Sequence, residues 1–159
     1  MSRHVAHSVR SGQEMTFDSE VMGVSAPKPA DQPPDHFAMR NGIRCAGVLL
    51  IVDVYNASNL DNIAHIETMI RASVEAARAT IEKMNLKKFG DGGGVSGTAI
   101  LSESHISIHT WPECMFAAID IFMCGDTDPD ACLPIIRKAL HVHASDMVVK
   151  EELRGQRFA

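Results

Sequence analysis

Between residues 60 and 84, Ile63, Ile66, Ile70, Val74, Ala77, Ile81 and Met84 recur every three or four positions. That spacing gathers them into one stripe of an amphipathic helix. A stripe of this length must lie on something flat and apolar, most simply a sheet. Ser58, followed by Asp61, resembles a capping box that would start the helix. Strands for the sheet are also present. "CAGVLLIVDVY" (45–55) is apolar enough to be covered on both faces, and "VSGTAILSE", "SHISIHT" and "FAAIDIFMC" supply further strands. Asp128–Pro129 can open a second helix with proline at its first position, although Pro134 sits awkwardly inside it. "DMVVKEEL" reads as the closing strand. The expected fold is α+β, a two-layer α/β sandwich with a mostly antiparallel sheet and two helices on one face.

Residues 1–40 differ from the rest. Four of the seven prolines fall in "APKPADQPPDHF", among small and polar residues, with no sustained period. Such a segment buries too little apolar surface to order itself, so it reads as a mobile arm, with the domain covering 41–159 and starting near Gly42. A chain of 159 residues suits one domain. Its net charge of −5 gives no support to nucleic-acid binding, which usually shows a basic patch. No apolar run is long enough for a membrane span, and no apolar segment follows Arg3 and Arg10 as in a secretory signal. Cys45, Cys114, Cys124 and Cys132 form no C-x-x-C pair, which points to free thiols in a reducing cytoplasm.

The chemistry concentrates in "ILSESHISIHTWPE" (100–113), with two histidines, three serines, two glutamates and the only tryptophan. His105 and His109 share one strand face, but a zinc site needs three or four ligands, and Cys114 and Cys124 stand at no recognisable zinc spacing. Gly92, Gly93 and Gly94 belong to no phosphate-loop pattern. A serine is a weak nucleophile at its own pKa, so attack by Ser104 on the Glu103 carbonyl would need an oxyanion donor and a base. That attack turns the peptide into an ester, and elimination and hydrolysis then leave a pyruvoyl group. Ser104 and His109 have opposite parity on a regular strand, so their cooperation requires the backbone to bend near 103–104.

The segment "GGVSGTAILSESHISIHTWPE", followed by "AAIDIFMCGD", closely resembles the prokaryotic S-adenosylmethionine decarboxylase proenzymes, from about Gly47 to Gln156. The resemblance implies a self-cleaving enzyme that makes decarboxylated S-adenosylmethionine, the aminopropyl donor for spermidine. It implies that Ser104 becomes the pyruvoyl group that takes the substrate amine, with cleavage after Glu103. His109 and Ser96 match residues that assist processing, and Cys124 matches the proton donor in decarboxylation. Phe89 and Trp111 match aromatic positions around the adenine, and Glu113 matches the carboxylate near the ribose hydroxyls. Covalent pyruvate is then the cofactor, with no metal. The partner is a second copy, in a two-fold dimer with active sites near its interface.

Three departures stand out. "GDGG" replaces a proline followed by asparagine or glutamine and reads as a looser loop, Leu49 replaces a histidine, and the Pro-rich arm is additional. Relatives of the fold decarboxylate ornithine or arginine by the same chemistry, but such an enzyme has little use for Phe89, Trp111 and Glu113 together. A non-catalytic dimer partner would have little reason to keep Ser104, His109 and Cys124. One layer of helices would leave the opposite sheet face apolar, with Leu50, Val52 and Val54 on one side of the first strand and Ile51 on the other.

Overall fold

The computed structural model describes residues 36–156. Most of the expected arm therefore lies outside the described residues. Its end does not: Ala38–Arg40 (β1) pairs antiparallel with Ile43–Cys45 (β2). Asn41 and Gly42 join them at φ 52° and 78°, the two positive values of a type I′ turn. The Asn-Gly dipeptide thus extends folded structure ahead of the boundary read from composition.

Six further strands form one antiparallel sheet. They are β3 (Gly47–Val54), β4 (Ile81–Lys88), β5 (Val95–Leu101), β6 (Ser104–Trp111), β7 (Phe116–Met123) and β8 (Met147–Arg154). Their order is β4-β5-β6-β7-β3-β8. Alternation divides each strand between two faces. Val48, Leu50, Val52 and Val54 of β3, Ile106 and Ile108 of β6, and Ile119, Ile121 and Met123 of β7 are buried. They meet Ile66, Met69, Ile70 and Val74 of α1 (Ile63–Ala76) and Ile136 of α2 (Cys132–Ala139) in one core. Removing a side chain such as Ile119 from this core costs about 2–5 kcal/mol. The other face carries Leu49, Ile51, His105, Ser107, His109, Asp120 and Phe122. It is mixed rather than apolar, with Ser107 Oγ donating to Asp120 at 3.1 Å. No helix among the described residues is long and apolar enough to cross a membrane.

Helix α1 stops at Ala76, well before the expected 84. Ile81 and Met84 belong to strand β4, where a bulge between Ile81 and Lys83 shifts the register. The bulge puts Ile81 opposite Leu101 and Met84 opposite Ala99, on the same buried side. Two residues three apart on one strand face therefore imitate a helical period. The cap also differs: Asn62 Oδ1, not Ser58, accepts from His65 N–H at 3.1 Å. Ser58 instead donates to Leu140 O at 3.2 Å. Asp128–Pro129 opens a 3-10 turn before α2, and Pro134 falls in the first turn of α2, where its missing N–H costs nothing.

Candidate active site

Strands β5 and β6 are joined by two residues, Ser102 and Glu103, since Leu101 pairs with Ser104. Two-residue hairpins usually take type I′ or II′ turns, which need positive φ at their first position. Neither Ser102 nor Glu103 has it; Ser104 does, at φ 144°. A non-glycine residue in such a region stores about 1–3 kcal/mol of strain. The turn is held from outside. Ser102 N–H donates to Thr80 O at 3.0 Å, Thr80 N–H to Glu103 Oε2 at 2.9 Å, and Ser102 Oγ to Glu82. The Glu103 carbonyl oxygen accepts from Cys124 N–H at 3.1 Å and from the Cys124 thiol at 3.0 Å. Two donors thus meet the oxygen on which negative charge would develop if Ser104 attacked. Burial, and then the Glu103 carboxylate, push the Cys124 thiol up, which keeps it protonated.

The far end of β6 holds a second group. Ser96 and His109 are register partners, with His109 Nδ1 and Ser96 Oγ 3.0 Å apart. The His109 ring is 6.3 Å from Trp111, which stacks on Phe116 at 5.4 Å. Phe89, Gly93, Gly94, Ser96, Thr110, Trp111 and Glu113 line a cavity of about 330 Å³. Gly93 and Gly94, which wall it, have no room for a side chain, whereas Gly90 and Gly92 of the preceding turn face open space. A Cβ on Gly93 would lie 1.5 Å from Phe89 O, and one on Gly94 1.9 Å from Thr110 O. Thr110 Oγ1 anchors that wall by accepting from Val95 N–H at 2.7 Å while donating to Leu60 O at 2.7 Å.

The expected residues therefore gather at two places. Glu103 and Cys124 share a cavity of about 420 Å³ with His36, Arg78, Ser102, Gly125, Asp126 and Thr127. Ser96, His109, Phe89, Trp111 and Glu113 cluster at the other end of the strand. The backbone does bend at Ser104, but the bend does not bring Ser104 to His109. Five residues of strand at about 3.3 Å each separate their Cα atoms by about 17 Å. His105 and His109 share the open face yet part company, His105 packing on Phe122 at 5.9 Å. The ties to Thr80 and Glu82, the glycine wall, and Arg78 and His36 have no local signal in the sequence.

The profile of the S-adenosylmethionine decarboxylase family matches residues 48–155. An S-adenosylmethionine decarboxylase proenzyme of Thermomicrobium roseum is 42% identical over 97 residues, 60% of this chain and 84% of that protein. One of Methanococcus aeolicus is 40% identical over 105 residues, 64% of this chain and 89% of that protein. The crystal structure of the adenosylmethionine decarboxylase of Aquifex aeolicus superposes with a TM-score of 0.62 at 28% identity, covering 70% of this chain and 92% of that one. With the family profile covering well over half of its length, the chain belongs to the S-adenosylmethionine decarboxylase family.

Proposed function

We propose that this chain cleaves itself between Glu103 and Ser104 and then decarboxylates S-adenosylmethionine, each active site being completed across a two-fold dimer. The observation that carries the cleavage is the Glu103 carbonyl, gripped by the Cys124 N–H and thiol directly before a strained Ser104. A tetrahedral oxyanion formed there gains both donors without rearrangement. Departure from the strained φ at Ser104 releases stored energy as the bond breaks.

The same arrangement fits a pyruvoyl group derived from Ser104, because the bond to be opened, the nucleophile and the oxyanion donors are already in register. Once formed, that group supplies a carbonyl that takes the substrate amine and withdraws electrons as carbon dioxide departs. The chain's own residues supply the rest. Cys124 holds a proton on Sγ, and its raised pKa keeps the proton available at neutral pH. The faces of Trp111 and Phe89 suit a flat purine and a sulfonium cation. The Glu113 carboxylate, in the same cavity, accepts from sugar hydroxyls. His109, paired with Ser96, moves protons at its Nδ1 side during processing. An ornithine or arginine decarboxylase would have no use for this aromatic cavity.

The separation along β6 supports the dimer. With His109 about 17 Å from Ser104 in one chain, its imidazole cannot serve that serine within hydrogen-bond reach. Two copies packed open face to open face about a two-fold axis would bring the aromatic end of each β6 to the scissile end of the other. Ile100, Trp111 and Val148 are exposed on that face and would be covered. Free thiols at all four cysteines suit a cytoplasmic setting. Intact mass under denaturing conditions, with release of labelled carbon dioxide, tests the reading. It predicts fragments 1–103 and 104–159, the second lacking a free amine, and activity on S-adenosylmethionine. A chain that stays whole and is nevertheless active would contradict it.

A further inference from the structure

Helix α1 ends in a Schellman motif: Arg78 N–H donates to Glu75 O and Ala79 N–H to Val74 O, both at 3.0 Å. That motif needs a left-handed residue after the cap, usually glycine. Here Arg78 occupies it at φ 59°. Its guanidinium donates one N–H to Asp126 O at 3.0 Å, across to the loop after β7. The side chain thereby lines the cavity shared by Glu103 and Cys124. Glu103, the residue on the carboxyl side of the scissile bond, lines the same cavity.

Cleavage would create a charge problem on that side. The Ser104 hydroxyl adds to the Glu103 carbonyl, the C–N bond breaks, and the hydroxyl proton ends on the freed amine, leaving an ester. A base then removes the Ser104 Cα proton, the Cβ–O bond breaks, and Glu103 leaves as an α-carboxylate carrying the electron pair. Dehydroalanine remains; water adds to its imine tautomer and ammonia departs, giving the ketone. Cys124 N–H and Sγ–H serve one oxygen of the new carboxylate. The charge is shared with the second oxygen, which arrives near the Glu103 side chain, whose Oε2 already accepts from Thr80 N–H. Two carboxylates on one residue repel unless a cation lies between them.

We propose that Arg78 is the counter-charge for the carboxylate that Glu103 becomes, and that it speeds the elimination step. A guanidinium has five N–H donors in a fork matched to a carboxylate, and one is committed to Asp126. This rests on the self-cleavage reading above and deepens it.

Arg78→Gly separates charge from structure, because glycine relaxes the left-handed strain while removing the guanidinium. Full-length chains made by a short pulse of cell-free synthesis would be followed by denaturing mass spectrometry, with hydroxylamine added to trap ester. In the variant, the melting temperature should not fall. Cleavage should slow by about tenfold, less than the 10²–10³ lost with a buried donor because Arg78 is exposed. Trapped ester should accumulate, as fragment 1–103 bearing a hydroxamate and 104–159 bearing a normal serine. Arg78→Lys should recover part of the rate, and Arg78→Asn, which also tolerates this backbone, should behave as Arg78→Gly. Wild-type cleavage kinetics in Arg78→Gly would overturn the proposal, as would slow cleavage without trapped ester. A wild-type chain that never cleaves would overturn the underlying reading instead.

Discussion

The two ends of strand β6 are built by different means. At the Ser104 end the important groups are backbone: a carbonyl, an N–H and a strained φ, tied down by Thr80, Glu82 and Cys124. At the Trp111 end they are side chains: Phe89, Ser96 and Glu113 around a cavity walled by two glycines, with His109 paired to Ser96. Under the proposed function, the first end holds the bond to be opened and the Cys124 proton donor. The second binds a flat, charged small molecule and lends its Ser96–His109 pair to cleavage. On the proposed reading, the contrast explains how a short stretch of sequence can serve both functions, and why two copies of the chain would be needed to bring them together.

The sharpest way to break the contrast is at the nucleophile. Ser104→Ala leaves nothing to attack Glu103, so cleavage and decarboxylation should both vanish while the chain folds as before; denaturing mass and carbon dioxide release check this. Cys124→Ala should separate the two stages. The Cys124 N–H still holds the Glu103 carbonyl, so cleavage should persist at a several-fold lower rate. Decarboxylation should fall by about 10²–10⁴-fold, the usual worth of a general acid, measured on the processed variant. A Cys124→Ala enzyme with full turnover would place the proton donor elsewhere.

Gly94→Ala acts on the other end. Its Cβ would meet Thr110 O at 1.9 Å, a backbone atom that cannot step aside. Overpacking of this kind costs about 1–3 kcal/mol, and the cavity wall should shift with it. KM for S-adenosylmethionine should rise, and chain cleavage should slow by a smaller factor because Ser96, which pairs with His109, lines the same cavity; steady-state kinetics and a cleavage time course check both.

A last effect concerns neither end. Burial, then Asp128 and Asp130, push the Cys132 thiol from 9.0 up to about 12. Above pH 9 the unfolded thiol ionises while the folded one keeps its proton, so the unfolded state binds fewer protons and stability falls as pH rises toward 12. The loss is at most about 1.4 kcal/mol per pH unit. Cys132→Val should flatten it in denaturant titrations from pH 8 to 11.

Much of the sheet is legible in the sequence, because β5, β6 and β7 alternate cleanly and are separated by short turns. The end of α1 is not, since the bulge in β4 spaces Ile81 and Met84 as a helix would. The β1–β2 hairpin carries its own signal in Asn41–Gly42, set beside a proline-rich segment whose composition points the other way. At the site, residue identities stand out in "ESHISIHTWPE". Their division into two places does not, because parity along a strand reveals the face but draws attention away from the distance. The grip on Glu103 is invisible for another reason: Thr80 and Cys124 reach it only through strand pairing with distant segments.

The claim that one chain's Ser104 is served by its partner's His109 is tested most directly by co-expressing differently tagged Ser104→Ala and His109→Ala chains. Neither variant alone should cleave efficiently. In random mixtures about half of the His109→Ala chains should pair with Ser104→Ala chains, whose His109 is intact, and these should cleave. Ser104→Ala chains should stay whole throughout. If the His109→Ala chain cleaves no better in the mixture than alone, the site is not shared between copies, and the account of this fold as two half-sites fails.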